Sequence, residues 1–415
     1  MQIICFEDDR VDQLRPIAIA RPAYAITSAS FCLVDWLKRL PGTLTGSVRP
    51  YLQVIQELDH GIDRVPDSID DADGVLLINA RVMPTVEHEK TLGELAKLDR
   101  SGIVVDGEDG SILAARMTAA DVASIDADET YSLIKRLLAK AGQLDRLEHK
   151  LAAFCWPHDI IACHMKEMAT SMNRRLELGR YTETSDGVFV GQGVQIGQYA
   201  AVDTSAGPII FEDNVKVGPF CYLSGPVHAG AGTRVIEHSA LKDGVSLGHT
   251  TKIGGEVEAS VIEPYTNKQH HGFLGHSYLG SWINLGAGTC NSDLKNTYGK
   301  INITYGDQKT ATGMQFLGCF VGDYSKTAIN TSIFTGKVIG VCSMMYGFVT
   351  SNVPSYVNYA RLFGQTSLLP ADVMINTQKR MFARRKVEQR DCDKQLIRDM
   401  YDMTADERSA DPDIL

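Results

Sequence analysis

A six-residue repeat, which begins near Gly187, limits the possible folds of this chain more than any other feature of its sequence. An aliphatic residue followed by glycine or an acid recurs in three consecutive units at 190–194, 196–200 and 202–206. Further units in the same phase lie at 211–221, 247–257 and 279–289, with weaker ones near 321 and 339. A period of six is typical of a parallel β-helix, in which each unit forms one short strand and then turns a corner. A generic glycine-rich β domain does not explain units that stay in phase.

Two interruptions of the repeat predict where chemistry occurs. The register is lost over 261–274 and again over 290–313. A solenoid places its insertions in loops at the corners of its coils, often on a binding face. We therefore expect the functional residues of this region in these two segments.

The segments before and after the repeats have a different pattern of apolar residues. Short apolar runs at 1–6, 74–78 and 102–105 alternate with helical stretches such as 30–39, which predicts an α/β layer with buried parallel strands. An amphipathic helix is predicted over 128–152 and a second helix over 165–178, separated by Trp156 and Pro157. The predicted domains are a nucleotidyltransferase-like α/β domain (1–126), a helical connector (127–180), a β-helix (181–354) and a C-terminal helical extension (355–415).

Composition excludes several classes of function. The 415 residues include 51 acidic and 41 basic ones, for a net charge of -10, which argues against a broad nucleic-acid-binding surface. No apolar run reaches the length of a membrane span, and the acidic residues Glu7, Asp8 and Asp9 are unlike a secretory signal. The nine cysteines form no C-x-x-C pair, which favours free thiols in a reducing cytoplasm. We expect a cytoplasmic enzyme that binds small molecules, with no nucleic-acid or membrane partner.

The two interruptions carry residues suited to proton transfer and phosphate binding. The first contains Asn267, Lys268, His270 and His271, and His276 follows directly after it. An imidazole with a pKa near 6.5 is a natural base for an ammonium nucleophile at neutral pH. The second carries further polar and aromatic side chains, namely Asn291, Lys295 and Tyr298, shortly after Asn284.

These stretches resemble a known family. The motif N-K-Q-H-H-G-F-L-G-H-S-Y-L-G at 267–280 and the motif N-L-G-A-G-T-C-N-S-D-L-K-N-T-Y-G at 284–299 resemble a variant bacterial branch of the GlmU family. That family joins a glucosamine-1-phosphate acetyltransferase to an N-acetylglucosamine-1-phosphate uridylyltransferase. The stretch 14–22 resembles the opening of the same branch, and 156–161 resembles its connector. The resemblance implies a left-handed parallel β-helix and a homotrimer that binds acetyl-CoA in the groove between neighbouring subunits.

The resemblance also implies roles for particular residues in the β-helix. His270 falls at the position of the general base, and Asn284 falls on the asparagine that binds the sugar phosphate. Asn291, Lys295, Tyr298 and Lys268 are the other candidates for substrate binding. Ala287 and Gly288 are implied to contact acetyl-CoA. No metal is expected in this domain.

The N-terminal segment departs from the pattern of nucleotidyltransferases. It lacks the family's glycine-rich phosphate loop, and Asn79, Ala80 and Arg81 stand where the family carries a Gly-Asp that holds magnesium. A uridylyl transfer with UTP and Mg²⁺ therefore rests on analogy. The candidates for binding the nucleotide phosphates share a guanidinium group and are Arg10, Arg15, Arg21 and Arg81. Ordinary surface arginines are the alternative.

Other interpretations stay open at this point. The first domain could transfer nucleotides while the β-helix only holds a trimer together, or it could bind a nucleotide sugar without turnover. His271 and His276, with His238 or His249, also resemble the metal ligands of β-helical carbonic anhydrases. A basic cluster at 379–386 could reach CoA phosphates, or it could be the solvated face of a helix.

Overall fold

The computed structural model describes residues 1–69, 74–125 and 132–410 and divides the chain into two compact units. The first unit comprises Met1–Leu14, Arg21–Thr27 and Phe31–Trp156. The second comprises Arg15–Ala20, Ser28–Ser30 and Pro157–Leu415. Among the described residues, we found no helix with the length and apolarity that a bilayer crossing requires.

The first unit is built on one mixed sheet. Its strands are β1 (Gln2–Phe6), β2 (Thr43–Ser47), β3 (Asp63–Arg64), β4 (Val75–Asn79), β5 (Gly102–Val105) and β6 (Ile112–Met117). The sheet order is β3-β2-β1-β4-β6-β5, so β1 is central and lies parallel to both β2 and β4. Its helices are α1 (Leu33–Leu37), α2 (Gln53–Ile55), α3 (Val86–Leu95), α4 (Ala119–Ala123) and α5 (Leu133–Ala141). The predicted strands at 1–6 and 74–78 are confirmed.

Two expectations for this unit were wrong. The strand at 102–105 is not parallel: it pairs antiparallel with β6, because the six residues that join them are too few for a parallel crossover. The helix predicted over 128–152 is observed only at Leu133–Ala141, with 126–131 outside the described residues. Residues 145–147 bond to the edge of β5 at Ile103 instead, so sheet pairing overrides the helical pattern there.

The second unit begins with α6 (Pro157–Leu178), which is longer than predicted. Proline suits the first helical position, where its missing N–H has no helical partner to lose, so Pro157 starts this helix and does not interrupt a longer one.

The β-helix that follows consists of short strands. Those before the insertion are β7 (Thr182–Ser185), β8 (Val188–Val190), β9 (Gln195–Ile196), β10 (Ala201–Asp203), β11 (Ile209–Phe211), β12 (Lys216–Val217), β13 (Tyr222–Ser224), β14 (Val227–Ala229), β15 (Arg234–Val235), β16 (Ala240–Leu247), β17 (Lys252–Ile253), β18 (Glu256–Ile262), β19 (Asn267–Lys268), β20 (Phe273–Gly275), β21 (Tyr278–Leu279) and β22 (Cys290–Asn291). The insertion itself contains β23 (Asn302–Tyr305) and β24 (Gln308–Ala311). Those after it are β25 (Cys319–Val321), β26 (Lys326–Thr327), β27 (Ser332–Ile333), β28 (Lys337–Ile339), β29 (Met344–Met345), β30 (Phe348–Val349), β31 (Val357–Ala360) and β32 (Gln365–Leu368).

The strands stack into three parallel faces, which confirms the β-helix. The first face runs β9-β12-β15-β17-β19 and continues through β26, β29 and β31. The second contains β10, β13 and the first halves of β16 and β18, followed by β20, β22, β27 and β30. The third contains β8, β11, β14, the second halves of β16 and β18, then β21, β25 and β28. Each coil therefore turns three corners.

The three corners differ in composition. The corner before the first face is the aromatic corner, where Tyr265, Trp282 and Tyr324 adopt a left-handed backbone. The corner between the first and second faces is the His270 corner, which includes His270, His271 and 287–288. The corner between the second and third faces is the His276 corner. The aliphatic residues point inward as predicted: Val217, Val235 and Ile253 are buried in one core column.

Two additions complete this unit. The second interruption of the repeat is a real insertion after β22: the hairpin β23–β24 extends from it, and a bridge between Leu294 and Phe316 returns the chain to the coil. The C-terminal helices are α7 (Ala371–Arg384), α8 (Asp391–Met403) and α9 (Ala405–Ser409). Phe382 of α7 stacks on Trp282 at 4.3 Å, which fixes α7 against the aromatic corner.

Candidate active site

Three polar side chains from successive coils meet at the His276 corner. Glu258 ends the first half of β18, His276 follows β20, and Asp293 follows β22. One ligand atom from each of these residues lies within 4.8 Å of the others. Because stacked coils place equivalent positions directly above one another, the repeat itself brings these residues together.

His276 and Asp293 form a hydrogen-bonded dyad. The two atoms Nδ1 of His276 and Oδ2 of Asp293 are 2.8 Å apart, and both side chains are largely buried. An ionised carboxylate can only accept, so Nδ1 is the donor, and in the neutral ring Nε2 then keeps its lone pair. This tautomer leaves Nε2 as a proton acceptor, the arrangement that a general base requires.

The imidazole of His276 is held from other sides as well. Phe316, where the insertion rejoins the coil, stacks on the ring at 5.4 Å. The backbone of His276 is left-handed (φ 46°), and its N–H donates to the carbonyl of Glu258. A ring fixed by packing and hydrogen bonds is preorganised for proton transfer.

Glu258 is already bound to a lysine. Nζ of Lys242 lies 3.2 Å from Glu258 and 2.7 Å from Glu256, and these carboxylates raise the pKa of Lys242 above its ordinary value, with the hydrogen bond to Glu256 as the largest cause. One histidine and two carboxylates do not form the three-imidazole site that the carbonic-anhydrase interpretation needs. Within one chain, moreover, His271 and His276 lie at different corners of their coil.

A second histidine supports this region from α6. His164 is fully buried: its Nδ1 accepts from the N–H of Ala29, and its Nε2 contacts the carbonyl of Gly244 at 3.1 Å. Burial lowers its pKa to about 4, so the ring is neutral at physiological pH. His164 is a structural residue that fixes α6 against the coil before Glu258.

His270, the base favoured by the motif alignment, lies elsewhere. It is exposed at the His270 corner, between β19 and β20, beside the exposed His271. The N–H of Gly288 donates to the carbonyl of His271, so Ala287 and Gly288 share this corner. Gly288 has φ +74°, a left-handed conformation that favours glycine, and a Cβ there would lie 2.1 Å from the side-chain oxygen of Asn330.

Two of the predicted substrate-binding residues are structural, which corrects their proposed role. Lys268 stands in the buried core column between Ile253 and Leu285. Its Nζ donates to the carbonyls of Gly254 and Gly272 at 2.7 and 2.6 Å, and burial lowers its pKa to about 8.

Asn291 is also buried and points into the coil. Its side-chain oxygen accepts from the N–H of Gly275, and its amide nitrogen donates to the carbonyl of Gly275 and to Ser277. An amide satisfied in this way fixes the stacking of two coils and is not free to bind a substrate.

The other three substrate candidates are accessible. Asn284 is half-buried on the first face, where its side-chain oxygen accepts from the amide of Asn267 at 2.9 Å. Lys295 and Tyr298 lie in the insertion that begins beside Asp293. Nζ of Lys295 donates to the carbonyl of Lys300, and Tyr298 is 70% exposed. The structure thus places Asn284 on a different part of the coil from Lys295 and Tyr298.

In the first unit, Arg81 is a structural residue, which corrects its assignment as a phosphate ligand. It is fully buried, and its Nε and one terminal nitrogen donate to the two oxygens of Asp8 at 2.8 and 2.7 Å. Burial by itself would raise the pKa of the Asp8 carboxyl. The hydrogen bonds and charge of Arg81, together with the hydrogen bond from Asn79, outweigh burial and hold this pKa below its ordinary value. Another nitrogen of Arg81 donates to the carbonyl of Phe154.

This ion pair also bears on the expected magnesium ion. Asp8 and Asn79 follow the parallel strands β1 and β4, the part of an open sheet where ligands commonly bind. Both oxygens of Asp8 are occupied by Arg81 and Asn79, so these residues do not fit a Mg²⁺ ion, which needs free carboxylate oxygens.

The remaining arginines differ among themselves. Arg10 is 42% exposed and pairs with Asp109 at 2.8 Å. Arg21 is buried, and its carbonyl accepts from Arg49. Arg15 belongs to the second unit and is half-buried. Arg10 and Arg15 are therefore more accessible than the buried Arg21 and Arg81.

Asp293 and Glu258 were not predicted as site residues from the sequence, and His276 was predicted only as one of three histidines suited to proton transfer and as a possible metal ligand. A signal for the dyad was present: Asp293 stands 17 residues after His276, close to one coil of three six-residue units. Residues one coil apart stack, so a coil-length spacing between a histidine and an acid predicts contact.

Comparison with known proteins finds one family match and several partial relatives. Residues 3–178 match the model of the sugar nucleotidyl transferase family. A bifunctional protein GlmU from Thermotoga petrophila is 28% identical over 194 residues, which cover 46% of this chain and 34% of that protein. A bifunctional sugar-1-phosphate nucleotidylyltransferase/acetyltransferase from Sulfurisphaera tokodaii is 30% identical over 142 residues, which cover 34% of this chain and 35% of that protein.

These matches are partial. The chain spans about a third of the length of these curated relatives. A solved structure described as UDP-N-acetylglucosamine acyltransferase aligns with 56% of this chain and 83% of its own at 14% identity, but its TM-score of 0.22 is too low to support an argument.

Proposed function

We propose, since this chain is related to the GlmU-like bifunctional proteins, that it is an acetyl-CoA-dependent N-acetyltransferase acting on an amino-sugar phosphate such as glucosamine-1-phosphate. The observation that carries the proposal is the dyad of His276 and Asp293, at 2.8 Å, at one corner of a hexapeptide β-helix. The names of its relatives supply the acyl and sugar-phosphate chemistry.

The dyad suits the proton transfer that this reaction needs. The amine of an amino sugar is protonated at neutral pH and cannot attack a thioester until it loses a proton. Nε2 of His276 takes that proton, and Asp293 stabilises the resulting imidazolium through Nδ1. The free amine attacks the acetyl carbonyl, and the CoA sulfur leaves and takes up a proton.

The position of the other candidates supports a site shared between subunits. Ala287 and Gly288, the proposed acetyl-CoA contacts, lie at the His270 corner, whereas the dyad lies at the His276 corner. Two corners of one triangular coil cannot face the same cleft. Residues from both corners build one site only if a neighbouring copy supplies the second corner, as in the ring of a homotrimer.

A direct assay tests the activity. Full-length protein is incubated with acetyl-CoA and glucosamine-1-phosphate, and release of the CoA thiol is measured. We expect turnover that is lost in His276→Ala and retained in His270→Ala. Loss of turnover in His270→Ala with retention in His276→Ala would reassign the base, and no turnover with any amino-sugar phosphate would reject the proposed reaction.

A mixing experiment tests the shared site. His276→Ala removes the base, and Ala287→Trp blocks the His270 corner, so we expect each variant alone to be inactive. Co-expressed in equal amounts, they should recover up to about a quarter of wild-type activity, because a random ring pairs an intact His276 corner with an intact His270 corner at that frequency. Absence of any recovery would place the whole site within one chain.

A second candidate function concerns the first unit. Its family match favours transfer of a nucleotide from UTP to a sugar phosphate. The pair of Arg81 and Asp8 argues against metal binding by those two residues, so this activity depends on other groups. Pyrophosphate release from UTP and N-acetylglucosamine-1-phosphate would support it. Nucleotide-sugar binding without release would favour the non-catalytic alternative.

The redox state of the cysteines supports a cytoplasmic location. All nine cysteines are free thiols in the structure, and four of them lie in the β-helix at positions 221, 290, 319 and 342. Free thiols persist where the surroundings are reducing. Titration of the purified protein under denaturing conditions should find nine reactive thiols.

A further inference from the structure

The first face of the β-helix carries a row of cations in register. Lys216, Arg234 and Lys252 are direct neighbours on β12, β15 and β17. Each alternates with an inward-facing residue of the core column, so all three side chains point outward. Neighbouring strands lie about 4.8 Å apart, so the row extends over about 10 Å.

The C-terminal helix brings two more cations to the same place. The end of α7 carries Arg384, and Arg385 follows it. Burial lowers the pKa of Lys252 below its ordinary value, and the charges of Arg385, Arg234 and Arg384 lower it further. The two arginines therefore lie close enough to this row to repel its lysine. We call the five residues Lys216, Arg234, Lys252, Arg384 and Arg385 the cationic ladder.

None of these five side chains is neutralised within the part of the chain that the structure describes. The ion pairs of those residues involve none of them, and they make no side-chain hydrogen bonds there. Five unpaired cations repel one another, and they occur together in a chain of net charge -10. A grouping that lowers stability in the free protein indicates an anionic ligand.

The approach of α7 to this face is fixed by packing. Tyr265 and Trp282 stack at 4.1 Å with an angle of 5° between the rings, and Phe382 of α7 continues the stack. Gln378 of α7 is buried and hydrogen-bonds to the side chain of Tyr324. These contacts fix the position of the end of α7. Arg384 and Arg385 are therefore placed near the first face by the packing of the helix.

We propose that the cationic ladder binds an anion with several linked phosphate groups. A single phosphate is too small to contact a row of about 10 Å, whereas a chain of phosphates can lie along it and meet one cation per coil. Lysine and arginine are the side chains that bind phosphate oxygens, and arginine adds bidentate geometry. The site depends on geometry outside the dyad and holds whether or not the acetyl transfer is correct.

The test is direct binding of tripolyphosphate to the full-length protein, measured by calorimetry. The ladder variant combines Lys216→Gln, Arg234→Gln and Lys252→Gln, and a second variant combines Arg384→Gln and Arg385→Gln. The matched control removes three exposed cations of the first unit, through Lys90→Gln, Lys97→Gln and Lys135→Gln. Circular dichroism and thermal unfolding verify that every variant is folded.

We expect wild type and control to bind tripolyphosphate equally, more tightly than inorganic phosphate and with an affinity that falls with added salt. Each ladder variant should bind at least about tenfold more weakly. Competition by acetyl-CoA would identify its phosphates as the natural source, and absence of competition would indicate a free polyphosphate.

Three results would overturn the proposal: no binding by wild type, equal loss of affinity in the control, or unchanged affinity in both ladder variants. If the ladder variants alter the oligomeric state and leave tripolyphosphate binding unchanged, this face is an interface between copies and not a phosphate site.

Discussion

Two corners of one coil carry histidines six residues apart, and they differ in almost every physical respect. At the His270 corner, His270 and His271 are exposed, and no side chain of the described residues fixes their rings. At the His276 corner, the ring of His276 is largely buried, paired with Asp293 and stacked on Phe316. The same residue type is an exposed surface group at one corner and an oriented, hydrogen-bonded ring at the other.

The difference comes from what the neighbouring coils place above and below each corner. Corner residues stack on their equivalents, so Glu258 lies below His276 and Asp293 above it. At the His270 corner the equivalent positions are the small residues Gly255, Ala287 and Gly288, which offer no polar side chain. The orientation of the His276 ring therefore depends on the acid one coil away.

Removal of the His276 side chain should have the largest effect. We expect His276→Ala to lower kcat for acetyl transfer by ~10²–10⁴-fold, the usual contribution of a general base. His270→Ala is the matched control and should stay within about threefold of wild type, because its ring has no oriented partner. Steady-state kinetics of both variants measure which corner supplies the base. Similar losses of kcat in both variants would contradict the assignment of the base to His276 alone.

Asp293→Ala should have the next largest effect. Loss of the carboxylate leaves the base present but frees its ring and tautomer, so we expect kcat to fall on the order of 10²-fold with little change in KM. A variant with both His276→Ala and Asp293→Ala should be no slower than His276→Ala alone. Additive losses would show that Asp293 acts independently of the histidine.

Lys268→Met separates stability from catalysis beside the His270 corner. The carbonyl of Gly254 would lose its hydrogen bond, so we expect the free energy of unfolding to fall by about 1–3 kcal/mol with kcat nearly unchanged. A large change in KM without loss of stability would restore Lys268 as a substrate ligand.

The same lysine predicts a dependence of stability on pH. The pKa of Lys268 is about 8 in the folded protein, against 10.5 ordinarily, so between these values the unfolded chain binds more protons. The contribution of Lys268 to the free energy of unfolding should therefore rise from about pH 8 to about pH 10.5. Denaturant unfolding of wild type and Lys268→Met over this range measures the difference, and parallel pH profiles would contradict the assignment.

Metal removal should have the smallest effect. Because Glu258 already pairs with Lys242 and Asp293 with His276, we expect a chelator to leave acetyl transfer within about twofold of the untreated enzyme. Inactivation by a chelator, with recovery on addition of Zn²⁺, would show that the His276 corner is a metal site.

Much of the fold could be predicted because its signals are local. The core column at Val217, Val235 and Ile253 follows directly from the six-residue period, and β1 and β4 follow from apolar runs. The antiparallel pairing of β5 and the edge pairing of residues 145–147 could not be predicted in this way. Both depend on which strand edge is open, and a linear pattern does not contain that information.

The candidate site was predicted less well than the fold. The motif alignment favoured His270, whereas the structure shows an oriented hydrogen-bonded pair at His276, and the alignment assigned the buried side chains of Lys268 and Asn291 to the substrate. Residue type and neighbourhood in sequence do not reveal whether a polar side chain points into the coil or out of it. The inward orientation of the Lys268 side chain could not be predicted, because this lysine occupies a position in the core column where the repeat normally has an aliphatic residue.

The sequence by itself determined that this chain forms a parallel β-helix, because a six-residue period is a local rule that each coil obeys independently. It also determined the kinds of side chain available for proton transfer and phosphate binding. Only the tertiary structure decided which of them act together. Stacking brings Asp293 within hydrogen-bond distance of His276, and helix packing brings the charge of Arg385 close enough to act on Lys252, and both placements depend on the whole fold.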